Sequence, residues 1–361
     1  MRQARGTIPA PSKHGAAMMP QTLKWPIHLP PAEKAIARQI ATLLLIAGMI
    51  ELGAALASAQ DWPIRPVRVI IPYGPGGITD VIARLAADRL AKAFGQPFVV
   101  ENRGGAGGAI GTEAAVRAPR DGYTLYLAGG SPLTIVPQMQ KVSYDPLKDL
   151  APVGMLSYNP MAFTVHPDVP VRSLADFIDH AKAHPGQINY SVGGIGSSSQ
   201  LAPALLASRL QLDMLAVPYQ SMPAAISALL AGTVQMFFGN ITDVIEQVQS
   251  GRFRLLALSS EKRSAAFPNI PTVAETVPGF TMTGWHGLFV PSGTPQPVIQ
   301  RLSKAIAAMS RDGEFAGILS KLGIETVSDT PDHLANVIQS DIVLYKAALE
   351  SAGLLRRDTA Q

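Results

Sequence analysis

The chain has 361 residues, and 47% of them are hydrophobic, so it is long enough for two globular domains with separate cores. Residues 1–59 account for the whole formal charge of +4, because the remaining residues carry 24 basic and 24 acidic side chains. A neutral body argues against a nucleic-acid partner, and the absence of cysteine excludes disulfides and thiolate chemistry.

Residues 1–59 have the pattern of a secretory signal. Lys34 and Arg38 precede a short apolar stretch, QIATLLLIAGMI, and an Ala-Ser-Ala sequence ends at Ala59. A basic region, an apolar core and small residues at the cleavage site are the parts of such a signal. We therefore expect cleavage after Ala59 and a soluble protein of the bacterial periplasm.

Two points about this leader stay open in the sequence. A membrane anchor is the alternative interpretation, although the apolar core of about a dozen residues is shorter than the ~20 that a spanning helix needs. The polar stretch before the core also leaves Met1, Met18 and Met19 as alternative translation starts.

The first part of the mature chain alternates predicted strands and helices. Apolar residues recur at helical spacing between Ile78 and Phe94, and β-branched runs flank this segment. Strands separated by helices imply crossover connections and a parallel sheet. The predicted strands are Val67–Ile71, Phe98–Asn102 and Tyr123–Gly129, and a second helix is predicted near Gly111–Ala118.

A second unit with the same alternation begins near Phe163. Ser173 and Asp176 predict a capping box for a helix over residues 174–184. The strands predicted after it are 188–192, 215–219, 234–238 and 253–260, and the helices are 198–210, 223–232 and 242–251.

Residues 284–291 read as a strand that returns to the first unit. Thr294 and Thr330, each followed by a proline in the first helical turn, are then predicted to cap the starts of two helices. The pattern predicts an α/β protein with two lobes and a cleft between them, where small ligands bind. The predicted lobes are residues 62–160 plus 285–354, discontinuous in sequence, and residues 161–284.

The stretch IPYGPGGITD places three glycines between a strand and a helix. In open α/β sheets ligands bind at this end of a strand, and the first amides of a helix are unpaired and carry partial positive charge. Glycine lets a ligand approach the backbone closely. Such a turn holds an anion without Lys or Arg; the alternative is a tight turn that only starts a helix.

Four other strand-to-helix turns are also rich in Gly, Ser or Asn and nearly free of cations. This repetition favours a cleft lined by neutral hydrogen-bond donors. The predicted ligand-binding residues from all five turns are Tyr73, Gly76, Gly77, Ile78, Thr79, Asp80, Ser131, Gly196, Ser197, Ser198, Ser199, Tyr219, Gln220 and Asn240.

Enzyme chemistry finds little support. The glycines of Gly104–Gly111 suggest a dinucleotide site, but the next strand ends without the acid or Arg that such a site uses. The sequence has no G-x-S-x-G nucleophile elbow. His180 and His184 have a metal-like spacing, although a solvated helix face is the simpler explanation. For His286 two roles stay open: contact with a ligand, or a structural role at the hinge. We therefore expect that the protein is not an enzyme and that it binds no cofactor and no metal.

Several stretches in this order resemble the substrate-binding receptors of tripartite tricarboxylate transporters, the Bug-type periplasmic proteins. Shared stretches include PYGPGGITDVIARLAADRL, GQPFVVENRGGAGGAIGTEAA, INYSVGGIGSSSQLAPALL and VPYQSMPAAISALLAG. The resemblance implies a Venus-flytrap fold that closes on a small organic acid and delivers it to a membrane permease. It also implies that Tyr73–Asp80 and Gly196–Ser199 pinch a carboxylate through backbone amides and waters.

The sequence departs from the pattern of this family near the expected cleft. Gln220 stands where a basic residue is common, Gln200 where His is common, and Gly239 where an acid is common. These departures favour a neutral, amide-bearing or aromatic acid as the ligand. Asp80 would repel a bound anion, so we expect its oxygens to cap free amides of the first turn.

Transport is the function that these observations favour, and we expect the receptor to be a monomer. A periplasmic sensor that signals to a membrane kinase uses the same kind of cleft and stays open as an alternative. A cofactor-dependent α/β enzyme is the remaining alternative.

Overall fold

The computed structural model describes residues 62–356. The predicted leader, its cleavage after Ala59 and the alternative translation starts lie outside these residues. Within residues 62–356, no helix is both long and apolar enough to span a membrane.

Three parallel strands and two helices begin the first lobe. β1 pairs with both β2 and β3 in parallel register. The first helix ends at Gly95, which adopts the left-handed conformation (φ +69°) that glycine favours at helix ends. The elements are β1 (Val67–Ile71), α1 (Ile78–Phe94), β2 (Phe98–Asn102), α2 (Ala109–Val116) and β3 (Thr124–Gly129). The predicted bounds of β1, α1 and β2 are confirmed.

A long strand that the sequence analysis missed follows three short helices. The helices are α3 (Ser131–Thr134), α4 (Val136–Met139) and α5 (Pro146–Asp149), and the strand is β4 (Leu150–Val165). Pro152 and Gly154 normally argue against a strand, but here the register shifts between them. Proline is tolerated at such irregular positions, because no ladder hydrogen bond is lost there.

The second lobe repeats the alternation. Ser173 Oγ accepts a hydrogen bond from the Asp176 amide at 3.0 Å, and Asp176 Oδ2 accepts one from the Ser173 amide at 3.1 Å. The predicted capping box is thereby confirmed. The elements are α6 (Leu174–Ala183), β5 (Ile188–Val192), α7 (Ser198–Leu210), β6 (Met214–Pro218), α8 (Met222–Leu230), β7 (Met236–Asn240), α9 (Ile245–Gln249), β8 (Arg254–Leu258) and α10 (Val273–Thr276).

The chain then returns to the first lobe. Thr330 Oγ1 accepts a hydrogen bond from the His333 amide at 3.2 Å, as its predicted capping role requires. The predicted cap at Thr294 is wrong: its hydroxyl donates to the Pro291 carbonyl at 2.8 Å, and the helix starts after Pro295. The elements are β9 (Thr283–Pro291), α11 (Gln296–Met309), α12 (Gly313–Lys321), β10 (Glu325–Thr326) and α13 (Pro331–Ser351).

The ten strands of residues 62–356 join one sheet through the two strands that cross between the lobes. Its order is β2-β1-β3-β9-β4-β7-β5-β6, with β8 and β10 also paired to β4. The first half of β4 pairs antiparallel with β9, and its second half pairs antiparallel with β7 and β8. Every antiparallel pair involves β4 or β9, so each lobe keeps its own parallel strands beside this crossing.

The last helix packs against the cores of both lobes. Leu334 and Ile338 lie in a core cluster with Trp285, whereas Tyr345 and Leu349 join the cluster that surrounds Phe163. α13 therefore bridges the two lobes beside β4 and β9. The exact limits of the lobes stay a prediction.

Candidate ligand-binding cleft

A cavity of about 570 Å³ lies where the carboxyl ends of strands from both lobes meet. It is lined by backbone-rich turns from each lobe and by side chains of the crossing strands and the last helix. The lining residues are Tyr73, Gly74, Pro75, Gly77, Ile78, Thr79, Gly129, Gly130, Ser131, Ile135, Asn159, Met161, Ser197, Ser198, Asn240, Thr283, Gly284, Trp285, His286 and Tyr345.

Four of the five turns named from the sequence contribute to this lining. The predicted residues that the fold brings together there are Tyr73, Gly77, Ile78, Thr79, Ser131, Ser197, Ser198 and Asn240. The predicted residues outside the lining are Gly76, Asp80, Gly196, Ser199, Tyr219 and Gln220.

The first turn opens α1 toward the cavity. Gly76 has a φ of +86°, which favours glycine, and Gly77 is the extended N-cap residue. Within this described helix, no side chain caps the amides of the first turn. Gly77, Ile78 and Thr79 all line the cavity. Because the first amides of a helix have no partner within the helix, they are available to a ligand.

Asp80 ties this turn together from outside the cavity. Its Oδ2 accepts a hydrogen bond from the Gly76 amide at 3.0 Å, and its Oδ1 accepts one from Asn102 Nδ2 at 3.0 Å. The Arg84 guanidinium binds both oxygens of Asp80 and, with the amide and Asn102, lowers the pKa of the carboxyl to about 2. The expected capping of a turn amide by Asp80 is confirmed.

The second turn opens α7 in the same way. Gly196 also has a positive φ, +75°, and its amide donates to Gln200 Oε1 at 2.8 Å. Asp80 and Gln200 thus play equivalent parts, each four residues after the glycine that it binds. The fully buried Ser199 accepts from the Gly193 amide at 3.0 Å and lies 2.8 Å from Ser197 Oγ. Gly196, Ser199 and Gln200 therefore hold the turn in shape.

The crossing strands and the last helix form the floor of the cavity, which the sequence analysis missed apart from His286. Asn159 and Met161 come from β4, and Trp285 comes from β9. Trp285 Nε1 donates to Asp341 Oδ2 at 2.7 Å, and burial raises the pKa of that carboxyl to about 6. Tyr345, from the same helix as Asp341, also lines the cavity.

His286 connects the first turn to the crossing strands. The side chain is 3% exposed, with Nε2 lying 3.1 Å from Thr79 Oγ1 and Nδ1 lying 3.3 Å from Ser157 Oγ. Burial lowers its pKa to about 4, so the imidazole is neutral at neutral pH. His286 therefore lines the cavity and contacts Thr79 of the first turn, while a ligand contact and a hinge role both stay predictions.

The lining is uncharged. Among the described residues that face this cavity there is no Lys, Arg, Asp or Glu, and its one His is neutral. The nearby Arg84 is engaged with Asp80 and lies outside the lining. An anion in this cavity therefore meets peptide dipoles and hydroxyls, as the sequence analysis expected.

The glycines of 104–111 support the first turn from behind. A Cβ added to Gly104 would lie 3.3 Å from the Gly74 amide nitrogen, and one added to Gly111 would lie 2.7 Å from Pro72 Cα. None of these glycines lines the cavity. Close backbone packing thus accounts for this glycine-rich segment without a dinucleotide.

The remaining candidates lie away from the cavity. Gln220 is exposed and Tyr219 half-buried, because they follow β6, which lies at the edge of the sheet. The rings of His180 and His184 are tilted by 33° with centroids 4.3 Å apart, and His184 Nδ1 lies 2.9 Å from the His180 carbonyl. Residues 62–356 contain no group of three His, Cys, Asp or Glu side chains arranged to hold a metal ion.

Residues 82–354 match the tripartite tricarboxylate transporter family receptor, TctC. The chain belongs to this family. BugT of Bordetella pertussis is 34% identical over 317 residues, which cover 86% of this chain and 97% of BugT.

Solved structures agree on the two-lobed periplasmic-binding-protein fold. The periplasmic binding protein BugD is 31% identical, with a TM-score of 0.68 over 82% of this chain and 100% of BugD. R. palustris Rpa4515 with adipate is 29% identical, with a TM-score of 0.71 over 81% of this chain and 98% of Rpa4515. The matched family is one of transporter receptors and BugD is a periplasmic binding protein, so the chain is a receptor and not an enzyme.

Replacing Asp80 by Ala should weaken ligand binding by roughly tenfold, because the Gly76 amide and Asn102 lose the acceptor that orders the first turn. Isothermal titration calorimetry measures the change. Asp88→Ala is the matched control, since Asp88 lies on the same helix, is exposed, and pairs only with Arg89 and Lys92 in the described contacts. Tighter binding by Asp80→Ala would show that the carboxylate acts mainly by repelling the ligand.

His286 should make the protein less stable as the pH falls. Its pKa is 6.5 in a reference state and about 4 in the fold, so the unfolded chain binds a proton first. The neutral imidazole makes its full contribution to the free energy of unfolding above pH 6.5. As the pH falls from 6.5 to about 4, the protein loses up to roughly 3 kcal/mol of this stability.

Urea unfolding of the wild type and His286→Gln at several pH values tests this expectation. The difference in unfolding free energy between the two should change with pH in that window. A His286→Gln profile parallel to that of the wild type would contradict the buried, neutral imidazole.

Proposed function

We propose that this protein captures a small organic acid between its two lobes and delivers it to the membrane permease of a tripartite tricarboxylate-type transporter. The observation that carries the proposal is the convergence of two uncapped helix starts, at Gly77 and Ser197, on one uncharged cavity. Membership of the receptor family and the adipate held by Rpa4515 support it.

The carboxylate in this proposal binds to the amides that start α1 and α7. A helix terminus contributes ~0.3–1 kcal/mol to an exposed anion and up to ~2 kcal/mol in a partly buried geometry. Two such ends, with the hydroxyls of Ser197, Ser198 and Thr79, supply donors from both lobes. Ordered waters can extend these contacts at little cost in free energy.

Closure in this proposal is a hinge motion about the crossing strands. Ligand that contacts both turns binds the closed form better than the open form and so shifts the balance toward closure. The moving bodies are the predicted lobes, residues 62–160 plus 285–354 and residues 161–284. The continuous strands β4 and β9 join them, so a bend in these strands is enough.

The cellular setting of the proposal follows from the leader and the family. The protein is secreted, loses its signal after Ala59 and acts as a monomer in the periplasm. Its partners are the organic acid and the permease subunits, with no nucleic acid and no cofactor. The neutral body of the chain is compatible with this set of partners.

Mass spectrometry of small molecules released from the freshly purified protein should find an organic acid in near-stoichiometric amount. A thermal-shift screen of organic acids then identifies further ligands, since a ligand at 100 times its Kd stabilises the fold by ~2.7 kcal/mol. The matched control for each hit is its methyl ester, which removes the charge and adds one methyl group. Equal shifts from acid and ester, or no bound acid and no hit, would refute the proposal.

A further inference from the structure

The floor of the cavity holds a polar atom that the protein does not satisfy. Asn159 lines the cavity and is 4% exposed, and its Oδ1 is buried with no hydrogen-bond partner among the described residues. Buried acceptors are nearly always paired in native proteins, because the loss of hydration is otherwise uncompensated. An unpaired oxygen in a binding cavity therefore points to a ligand group that donates a hydrogen bond.

A second carboxamide converges on the same place. Asn159 pairs with Gly284 across β4 and β9, while Asn240 ends the neighbouring strand β7. A Cβ added to Gly284 would lie 3.4 Å from Asn240 Oδ1 and 3.5 Å from Asn159 Nδ2. The glycine thus leaves room in front of two amide side chains, which together offer both donors and acceptors.

The charges around this end of the cavity disfavour a second anion. The lining contains no cation, and Trp285, the residue directly after Gly284 on β9, donates to the buried Asp341 carboxylate. A carboxylate placed beside Asn159 could accept from its Nδ2, but it would leave Oδ1 unpaired and would find no positive partner in the lining. Burial of an unpaired charge in this way is costly. An uncharged group that both donates and accepts avoids that cost.

We propose that this end of the cavity recognises a primary carboxamide, so that the ligands are monocarboxylic acids with a terminal amide. The inference rests on the proposed function, which assigns the carboxylate to the two glycine- and serine-rich turns. The inference does not depend on the three positions where the sequence departs from the family pattern, Gln220, Gln200 and Gly239. Gln220 is exposed, Gln200 binds the Gly196 amide, and none of the three lines the cavity.

Calorimetry with matched ligands tests the inference on the wild-type protein. The set comprises succinate, glutarate and adipate, the monoamide of each, and the alkanoate of each length that ends in a methyl group. The best monoamide should bind at least about tenfold more tightly than both the diacid and the alkanoate of its length. A diacid or an alkanoate that binds as tightly as its monoamide would overturn the inference.

Asn159→Leu identifies the residue responsible, since leucine has a similar size and no polar atom. The preference for the monoamide over the alkanoate should fall to about threefold or less in this variant. Asn189→Leu is the matched control, because Asn189 lies on β5 outside the cavity lining, and it should keep the wild-type preference. An unchanged preference in a folded Asn159→Leu protein would also overturn the inference.

The wild-type series keeps the two proposals separate. Tight binding of diacids would refute carboxamide recognition and leave the receptor for organic acids intact. Failure of every acid in the set, together with the absence of a co-purified acid, would instead count against the receptor function. The wild-type measurements test carboxamide recognition even if the Asn159→Leu variant does not fold.

Discussion

The site depends on peptide N–H groups that the fold leaves unpaired at the start of two helices. α1 begins after Gly77 and α7 after Ser197, and neither start has a side-chain cap in the described structure. The side chains that normally cap a helix instead hold the turn just before it, as the bonds from Gly76 to Asp80 and from Gly196 to Gln200 show. Residues of both first turns line the cavity, where a negative ligand group can accept hydrogen bonds from their free amides.

The crossing of β4 and β9 sets these two turns against each other. Because parallel strands of each lobe flank the same antiparallel pair, the carboxyl ends from the two lobes meet over that pair. The floor of the cavity then comes from the crossing itself, through Asn159 and Trp285, and from α13, which packs on both cores. One end of the cavity is thus rich in donors, and the other presents carboxamides beside a buried acid.

Local sequence patterns predicted the parts of the fold that short-range physics determines. The alternation of β1, α1 and β2, the capping box at Ser173 and the glycine-rich first turn are all readable from neighbouring residues. The sequence did not predict β4, because Pro152 and Gly154 are unusual in a strand. The pairing with β9 accommodates them through a shift of register, which local sequence does not reveal. Asn159 was missed with it, since its position depends on that long-range pairing. Gln220 carried a suitable turn pattern, but its strand lies at the sheet edge, away from the cavity.

The central claim is that backbone amides bind the carboxylate, and proline at the first helical position tests it directly. Ile78→Pro and Ser198→Pro each remove one amide hydrogen, and the extended residues before them, Gly77 and Ser197, accommodate a following proline. Ile78→Ala and Ser198→Ala are the controls, because they keep the amide and shorten the side chain. Calorimetry with the co-purified acid should show each proline variant binding at least about tenfold more weakly than its alanine control. Equal affinities within each folded pair would contradict the account.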